Sequence, residues 1–148
     1  MIGLRNRILC SLPVVVCSLH PAAAAKAQYS QQTKLVGTGA LGPAVQGLSV
    51  SLSGDGNTAI VGGTHDNPQP NGLGLGAAWV FTRSRRWWTQ QTKWTQQTKL
   101  VGSRALGAAA QGSSVSLSGD GNTAIVGGPL DNNLIGAAWV YTLSLIHI

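Results

Sequence analysis

One block of eighteen residues occurs twice in this chain, at 46–63 and at 111–128, and the two copies differ only by Leu48 against Ser113. Each copy alternates apolar and hydroxyl residues, passes through an Asp-Gly pair and continues as Ala-Ile-Val. Two short strands around an Asp-Gly pair are typical of a β-hairpin with a two-residue turn. The near-identical recurrence therefore predicts an all-β array of repeats.

Each copy of the block lies within a longer unit that predicts four strands, two of which form the hairpin. In the first strand of the hairpin, Val50 and Leu52 alternate with serines, so one face is apolar and the other carries hydroxyls. A further strand type places bulky aromatic residues, including Trp79 and Trp139, on one face and small or β-branched residues on the other. We expect these tryptophans to be core wedges between neighbouring units. The strands outside the hairpins are predicted at 29–37, 94–102, 76–82 and 136–142.

The first 27 residues have the pattern of an export signal. Arg5 and Arg7 precede an apolar stretch at 8–19 that is too short to span a bilayer, and an Ala-Lys-Ala cleavage site stands before Gln28. We therefore expect the fold to lie in residues 28–142 of a secreted, periplasmic or cell-surface protein. No membrane span is expected after removal of the signal.

Charge and cysteine content argue against a disulfide-stabilised protein and against a nucleic-acid-binding protein. Both cysteines, Cys10 and Cys17, lie in the predicted signal, so we expect no disulfide in the mature chain. The formal net charge of +6 falls to +3 without the three basic residues of the signal, because seven Lys and Arg then face four Asp. This basic excess is too small to indicate nucleic acid as a partner of an exported protein.

Two stretches depart from the repeat. Residues 88–93 are followed at once by an identical copy at 94–99, and an even insertion preserves the alternation of a strand. This doubling fits an extended hairpin end, and it fits equally a scar of DNA slippage or misassembly. The correspondence between the units ends at Thr142, and residues 143–148 are what the end of a common transposon-based sequencing adapter encodes in this frame. We interpret 143–148 as an adapter-derived tail on a truncated read of a longer gene.

The order of these motifs resembles the FG-GAP repeat proteins, whose repeats form the β-propeller of integrin alpha subunits and occur in many exported bacterial proteins. The resemblance covers residues 29–142 and implies about two four-stranded blades, at about 29–93 and 94–142, with one missing its last strand. A closed propeller has about four to eight blades, so the resemblance implies a truncated array. The family's Phe-Gly and Gly-Ala-Pro positions are occupied here by Gln46-Gly47 and Gln111-Gly112, and by Gly62-Gly63-Thr64 and Gly127-Gly128-Pro129.

The resemblance also bears on metal binding. Calcium-binding members of the family carry several carboxylates in the loop between the hairpin strands, whereas each unit here offers one, Asp55 or Asp120. Calcium takes six to eight oxygen ligands, so the loop is expected to be a tight turn and these residues are only weak metal candidates. The chain thus looks like a short-loop bacterial variant that needs no cofactor.

Few residues of the mature chain are candidates for chemistry or binding. His65 has Leu130 as its counterpart and no partner at a defined spacing, which favours a loop role over that of a general base. Asp66 and Asp131 recur and are expected to cap a turn rather than to act as an acid and base pair. The basic cluster at 83–88 is compatible with stacking on sugars or bases, but a charged hairpin tip needs no ligand. The candidate binding residues are His65, Asp66, Asn67, Asp131, Asn132, Arg85 and Arg86.

These observations favour a module that displays loops to a protein or glycan ligand and carries out no catalysis itself. Its other expected partners are further blades of a longer chain or a second copy of itself. Two alternatives remain open at this point: a fragment of a propeller-fold hydrolase or lyase, and an incomplete gene fragment without autonomous function.

Overall fold

The computed structural model of the chain describes residues 29–85 and 91–143. Seven strands within these ranges form two antiparallel sheets, of four and three strands, and each sheet follows chain order. The predicted all-β fold, with two units of which one lacks its last strand, is therefore confirmed. The strands are β1 (Gln46–Leu52), β2 (Thr58–Gly63), β3 (Ala77–Arg85) and β4 (Thr92–Leu100) in the first sheet, and β5 (Ser114–Leu117), β6 (Thr123–Gly128) and β7 (Ala137–Thr142) in the second.

The last strand of the first sheet belongs, by sequence, to the second unit. β4 pairs with β3, so that Leu100 lies opposite Ala78 and Lys99 lies opposite Trp79. The corresponding segment of the first unit, 29–37, forms no strand, and that part of the prediction is wrong. The reason is physical: a strand needs a partner for its backbone N–H and C=O groups, and β3 supplies one to the second unit's leading segment.

The hairpin of β3 and β4 extends beyond the rest of its sheet. β2 ends its pairing with β3 at Thr82, whereas β3 and β4 remain paired as far as Arg85 and Thr92. The described part of the six-residue doubling thus lengthens this hairpin. A β-bulge at Gln97 reverses the alternation of β4, which places Leu100 and Trp94 on opposite faces.

The main core lies between the two sheets. The first sheet contributes Ile60 and Val80, both fully buried, and the second contributes Val126, with Val115 and Leu117 packed against the cluster. Each fully buried Val or Ile side chain stabilises the fold by about 1.5–3 kcal/mol relative to its exposed state. Packing of one sheet against the other is therefore a main source of stability in the described part of the chain.

Strand β1 shows the predicted alternation, and its hydroxyl face is the less exposed one. Ser49 Oγ donates a hydrogen bond to the carbonyl oxygen of Gly112 (2.7 Å), and Ser51 Oγ accepts one from the backbone N–H of Leu117 (3.1 Å). Val50 and Leu52 are 67% and 56% exposed. The hydroxyl face of β1 thus meets the second sheet, and the apolar face is open.

A second core cluster covers the other face of the first sheet. Trp79 is fully buried there with Phe81, beneath the chain segment that leads into β1, and its Nε1 donates to the carbonyl oxygen of Thr38 (2.9 Å). Trp139 makes the same contact with Ser103 (3.0 Å). Each tryptophan therefore packs under the leading segment of its own unit, and the expected wedge between units is wrong.

Glycine is required where these rings meet the leading segment. A Cβ on Gly37 would lie 2.6 Å from the ring nitrogen of Trp79, and a Cβ on Gly102 would lie 2.5 Å from the ring carbon Cε2 of Trp139. No Cβ approaches a neighbouring atom so closely without displacing it, so both positions exclude a side chain.

Within the described ranges, no helix has the length and apolar character needed to cross a membrane.

Candidate functional site

The antiparallel order brings the connections of both units to two edges of the sheets. We call the edge formed by connections 38–45, 64–76, 103–110 and 129–136 the loop edge, and the edge formed by 53–57, 118–122 and the end of the β3–β4 hairpin the turn edge. The structure therefore separates the residues singled out by sequence. His65, Asp66, Asn67, Asp131 and Asn132 lie at the loop edge, Asp55, Asp120 and Arg85 lie at the turn edge, and Arg86 lies outside the described residues.

The aspartates at the turn edge serve the turns themselves. The Asp55 carboxylate accepts hydrogen bonds from Ser53 Oγ (2.6 Å) and from the backbone N–H (2.9 Å) and side-chain amide (2.8 Å) of Asn57. The Ser53 hydroxyl, followed by the Asn57 donors, stabilises the charged form and lowers the pKa of Asp55 from 3.8 to about 2. Asp120 repeats this arrangement, and the Ser118 hydroxyl is the main cause of its lowered pKa.

These turns are longer than the Asp-Gly pair indicated. The backbone N–H of Ser53 donates to the carbonyl oxygen of Thr58 (2.9 Å), so four residues, 54–57, lie between the closing pair. The prediction of a two-residue turn is wrong because Ser53, Asp55 and Asn57 form a local hydrogen-bond network that competes with it. The described residues contain no group of three or more His, Cys, Asp and Glu that could hold a metal ion.

The aspartates at the loop edge hold the leading segment of their own unit. Asp66 Oδ1 accepts a hydrogen bond from the backbone N–H of Leu41 (2.8 Å), and Asp131 Oδ1 accepts one from that of Leu106 (2.7 Å). Both side chains are buried, and each bond spans 25 residues. The two aspartates thus fix a distant segment rather than cap a local turn, which corrects the expectation.

Asp66 also forms an ion pair between the units. Its Oδ2 lies 2.6 Å from Nζ of Lys99, a residue of β4 that comes from the second unit. Lys99 Nζ also donates to the carbonyl oxygen of Gly39 (2.8 Å) and lies 5.6 Å from the centroid of the Trp79 ring. Burial of a carboxylate is costly unless an opposite charge or hydrogen bonds compensate it, so the pair with Lys99 ties the fourth strand to the loop edge of the first unit.

Two glutamines have a structural role that sequence reasoning missed. The Gln46 side chain accepts a hydrogen bond from the backbone N–H of Gly37 (2.6 Å) and donates one to its carbonyl oxygen (2.8 Å). Gln111, which is fully buried, makes the same pair of bonds with Gly102 (2.6 and 3.2 Å). The signal available in the sequence was an amide that recurs where the resembling family has phenylalanine.

The other candidates at the loop edge shape the backbone. Asn67 and Asn132 have positive φ angles of 53° and 49°, a conformation that asparagine tolerates better than most residues. His65 is half-buried, and its Nδ1 lies 2.9 Å from the hydroxyl oxygen of Thr64. His65 lies in the connection between β2 and β3.

A groove of about 280 Å³ lies at the loop edge between the two units. Its wall carries leucines that are open to solvent: Leu73, Leu106 and Leu134 are 41%, 59% and 74% exposed. Leu134 has a φ of 72°, which is uncommon for a bulky residue. The lining residues are uncharged: Asn71, Leu73, Leu106, Gly107, Ala108, Leu130, Asn133 and Leu134.

A second cavity, of about 420 Å³, lies at the turn edge beside Arg83 and Arg85. Arg83 is already engaged there, because its guanidinium donates to the side-chain oxygen of Asn57 (3.0 and 3.2 Å) and lies 5.8 Å from the centroid of a Trp94 ring. Arg85 is exposed at the end of β3. The rest of the predicted charged hairpin tip, residues 86–88, lies outside the described residues.

Comparison with known proteins gives one match. The family model described as the FG-GAP repeat matches residues 94–141, which hold most of β4, the second hairpin and nearly all of β7. No curated protein and no solved structure matches the chain. Residues 111–128 of the matched segment are the block that recurs, with one difference, at 46–63. Residues 94–141 are therefore similar to the FG-GAP repeat, and the first unit shares the recurring block of that segment.

Proposed function

We propose that this chain is a propeller-type binding module, located outside the cell or at its surface, that holds a protein partner at the groove of the loop edge. FG-GAP repeats are typically extracellular or surface modules, and the repeat supports a binding role. In this proposal the chain binds its partner and performs no chemistry on it.

The observation that carries the proposal is the contrast between polar and apolar residues at the loop edge. Asp66 and Asp131 are buried and bonded within the chain, so they are not presented to a ligand. Leu106 and Leu134 are exposed in a concave surface instead. Concave apolar surfaces with exposed large side chains are typical of protein interaction sites, where a few buried anchors carry most of the affinity.

The groove also favours a protein over a glycan. Aromatic rings supply the apolar faces on which sugar rings stack, and the lining of the groove contains no aromatic side chain. A volume of about 280 Å³ fits one or two anchoring side chains of a partner rather than an extended small molecule. The two asparagines of the lining, Asn71 and Asn133, offer hydrogen bonds at its rim.

Selection of peptides from a display library on the immobilised full chain tests this proposal. We expect selected peptides to present an apolar anchor and to lose at least about tenfold in affinity for the Leu106→Ser variant. Leu41→Ser is the matched control, because Leu41 is the counterpart of Leu106, is 57% exposed and lies outside the groove. Peptides that bind both variants equally, or ligands found only on a glycan array, would contradict the proposal.

A further inference from the structure

The outer face of the second sheet carries the counterparts of the residues with which the first sheet packs against the second. Ile60 and Val80 are neighbours on the first sheet and are fully buried under the second. Their counterparts Ile125 and Val140 are neighbours on the second sheet and are 43% and 67% exposed. The second sheet thus presents the same apolar pair to solvent.

The first sheet presents the complementary surface. Val115 and Leu117 of β5 pack into the core between the sheets. Their counterparts in β1, Val50 and Leu52, are 67% and 56% exposed. The side chains of β5 therefore fill the interface between the sheets, whereas the equivalent side chains of β1 are exposed to solvent.

The edge of the second sheet lacks what completes the first. Among the described residues no strand pairs with the outer side of β7, whereas β3 pairs with β4. Asp131 has no cationic partner within the described ranges, whereas Asp66 is paired with Lys99. The segment 29–37, which contains Lys34 as the counterpart of Lys99, forms no strand.

We propose that residues 29–37 of one copy of the chain complete the second sheet of another copy, head to tail, as a fourth strand beside β7. The register of β3 and β4 places Leu35 opposite Ala138 and Lys34 opposite Trp139. Lys34 then pairs with Asp131 of the second copy, as Lys99 does with Asp66 in one chain. Val50 and Leu52 cover Ile125 and Val140 in the same contact. This inference does not depend on the proposed function.

A second copy is the occupant because it supplies the strand, the lysine and the apolar face together. Residues 31–37 are identical to residues 96–102, which provide most of the fourth strand of the first sheet. The glutamine–glycine contacts that follow are also the same, at Gln46 with Gly37 and at Gln111 with Gly102. The segment therefore needs only a free β3-type edge in order to pair, and β7 offers one.

The proposed contact joins unlike surfaces, so it continues around a ring or along a filament. The described residues of each copy hold two units, and closed propellers have about four to eight blades. We therefore expect rings of about two to four copies. Light scattering on the full chain after size-exclusion chromatography should give masses at these multiples and a monomer on dilution.

Gly47→Ala tests the contact, because the added Cβ meets no atom of its own chain, and the strain of a side chain at its positive φ is matched by the control described below. At the counterpart Gly112, a Cβ would lie 2.7 Å from the backbone nitrogen of Gly63, across the interface between the sheets. A Cβ on Gly47, whose φ is 93°, meets no atom within 4 Å in the chain. In the assembly it would meet the backbone of the second copy near Gly128.

We expect Gly47→Ala to raise the dissociation constant of the assembly at least about tenfold, because a methyl group is forced into a closely packed contact. Gly72→Ala is the matched control, since Gly72 has a φ of 79°, no atom within 4 Å of its Cβ and a position in the 64–76 loop. A wild-type chain that is monomeric at all concentrations would overturn the proposal. Equal assembly of the two variants would overturn it as well.

Cross-linking tests the strand register directly. On a background with Cys10→Ser and Cys17→Ser, chains with Thr33→Cys are mixed with chains carrying Val140→Cys and oxidised. Thr33 lies opposite Val140 in the proposed register, within the distance that a disulfide spans. Ile125→Cys is the control, because β6 lies one strand further away, about 10 Å from Thr33. The proposed pairing is contradicted if the Ile125→Cys control gives as much covalent dimer as Val140→Cys. It is also contradicted if neither variant gives a covalent dimer.

Discussion

Gln111→Ala is expected to be among the most destabilising substitutions of a polar side chain in this protein. Gln111 is fully buried and bonds both backbone groups of Gly102, at 2.6 Å from its N–H and 3.2 Å from its carbonyl oxygen. Removal of the side chain leaves two backbone groups in the interior without their partner. Each such group costs about 1–3 kcal/mol, so the free energy of unfolding should fall by about 2–6 kcal/mol.

The first unit provides the matched control for this prediction. Gln46 makes the same two bonds with Gly37 but is only half-buried, so water can replace the side chain after Gln46→Ala. We expect that variant to lose about 1 kcal/mol. A loss of 2–6 kcal/mol is a large share of the roughly 5–15 kcal/mol that stabilises an ordinary domain.

Urea denaturation followed by tryptophan fluorescence, at one low protein concentration, measures both variants. The buried rings of Trp79 and its neighbours report the loss of packing. Two results would refute the reasoning: a Gln111→Ala chain within about 0.5 kcal/mol of the wild type, which is the usual range of a surface substitution, or equal losses in the two variants. Either result would show that the amide contacts do not hold the leading segments in place.

Four further predictions concern other parts of the molecule. Tyr141→Phe should leave stability unchanged or raise it by about 1 kcal/mol in the same denaturation assay, because the hydroxyl is buried with no hydrogen-bond partner among the described residues and the counterpart is Phe81; a clear loss would reveal a partner. The lowered pKa of Asp55 predicts a contribution to stability that is present above pH 3.8 and is lost as the pH falls towards about 2, so acid unfolding of Asp55→Asn should depend less on pH over that range; identical acid profiles would count against the turn network. Calcium and EDTA should leave the Tm unchanged, whereas a calcium-dependent rise abolished by Asp55→Asn and Asp120→Asn would show a metal loop. Mass spectrometry of the exported product should find an N-terminus at or near Gln28, and a cytoplasmic protein that retains Met1 would contradict the export prediction.

The sequence alone allowed the fold class, the two units and most strands to be predicted. Alternation along 46–63 and its recurrence at 111–128 are local patterns, and a strand's side chains alternate between faces whatever lies next to it. The order of motifs likewise indicated the FG-GAP resemblance that the match to 94–141 then supported. The predicted loop role of His65 rested on the absence of a partner at a defined spacing, and the predicted hairpin tip at 83–88 rested on the position of that basic cluster between two strands.

Tertiary structure decided which of these patterns are used, because burial and pairing depend on neighbours distant in sequence. Residues 31–37 and 96–102 are identical, yet residues 96–100 of the latter segment lie in a strand and the former segment forms none, since only one of them meets the free edge of β3. Val50 of the first sheet and Val115 of the second sheet occupy equivalent positions, yet only Val115 packs into the core between the two sheets. The carboxylates of Asp66 and Asp131 each find a backbone N–H 25 residues away, a contact that no local pattern encodes. The sequence of a repeat therefore specifies which strands it can form, and the neighbouring sheet determines which of those strands are paired and buried.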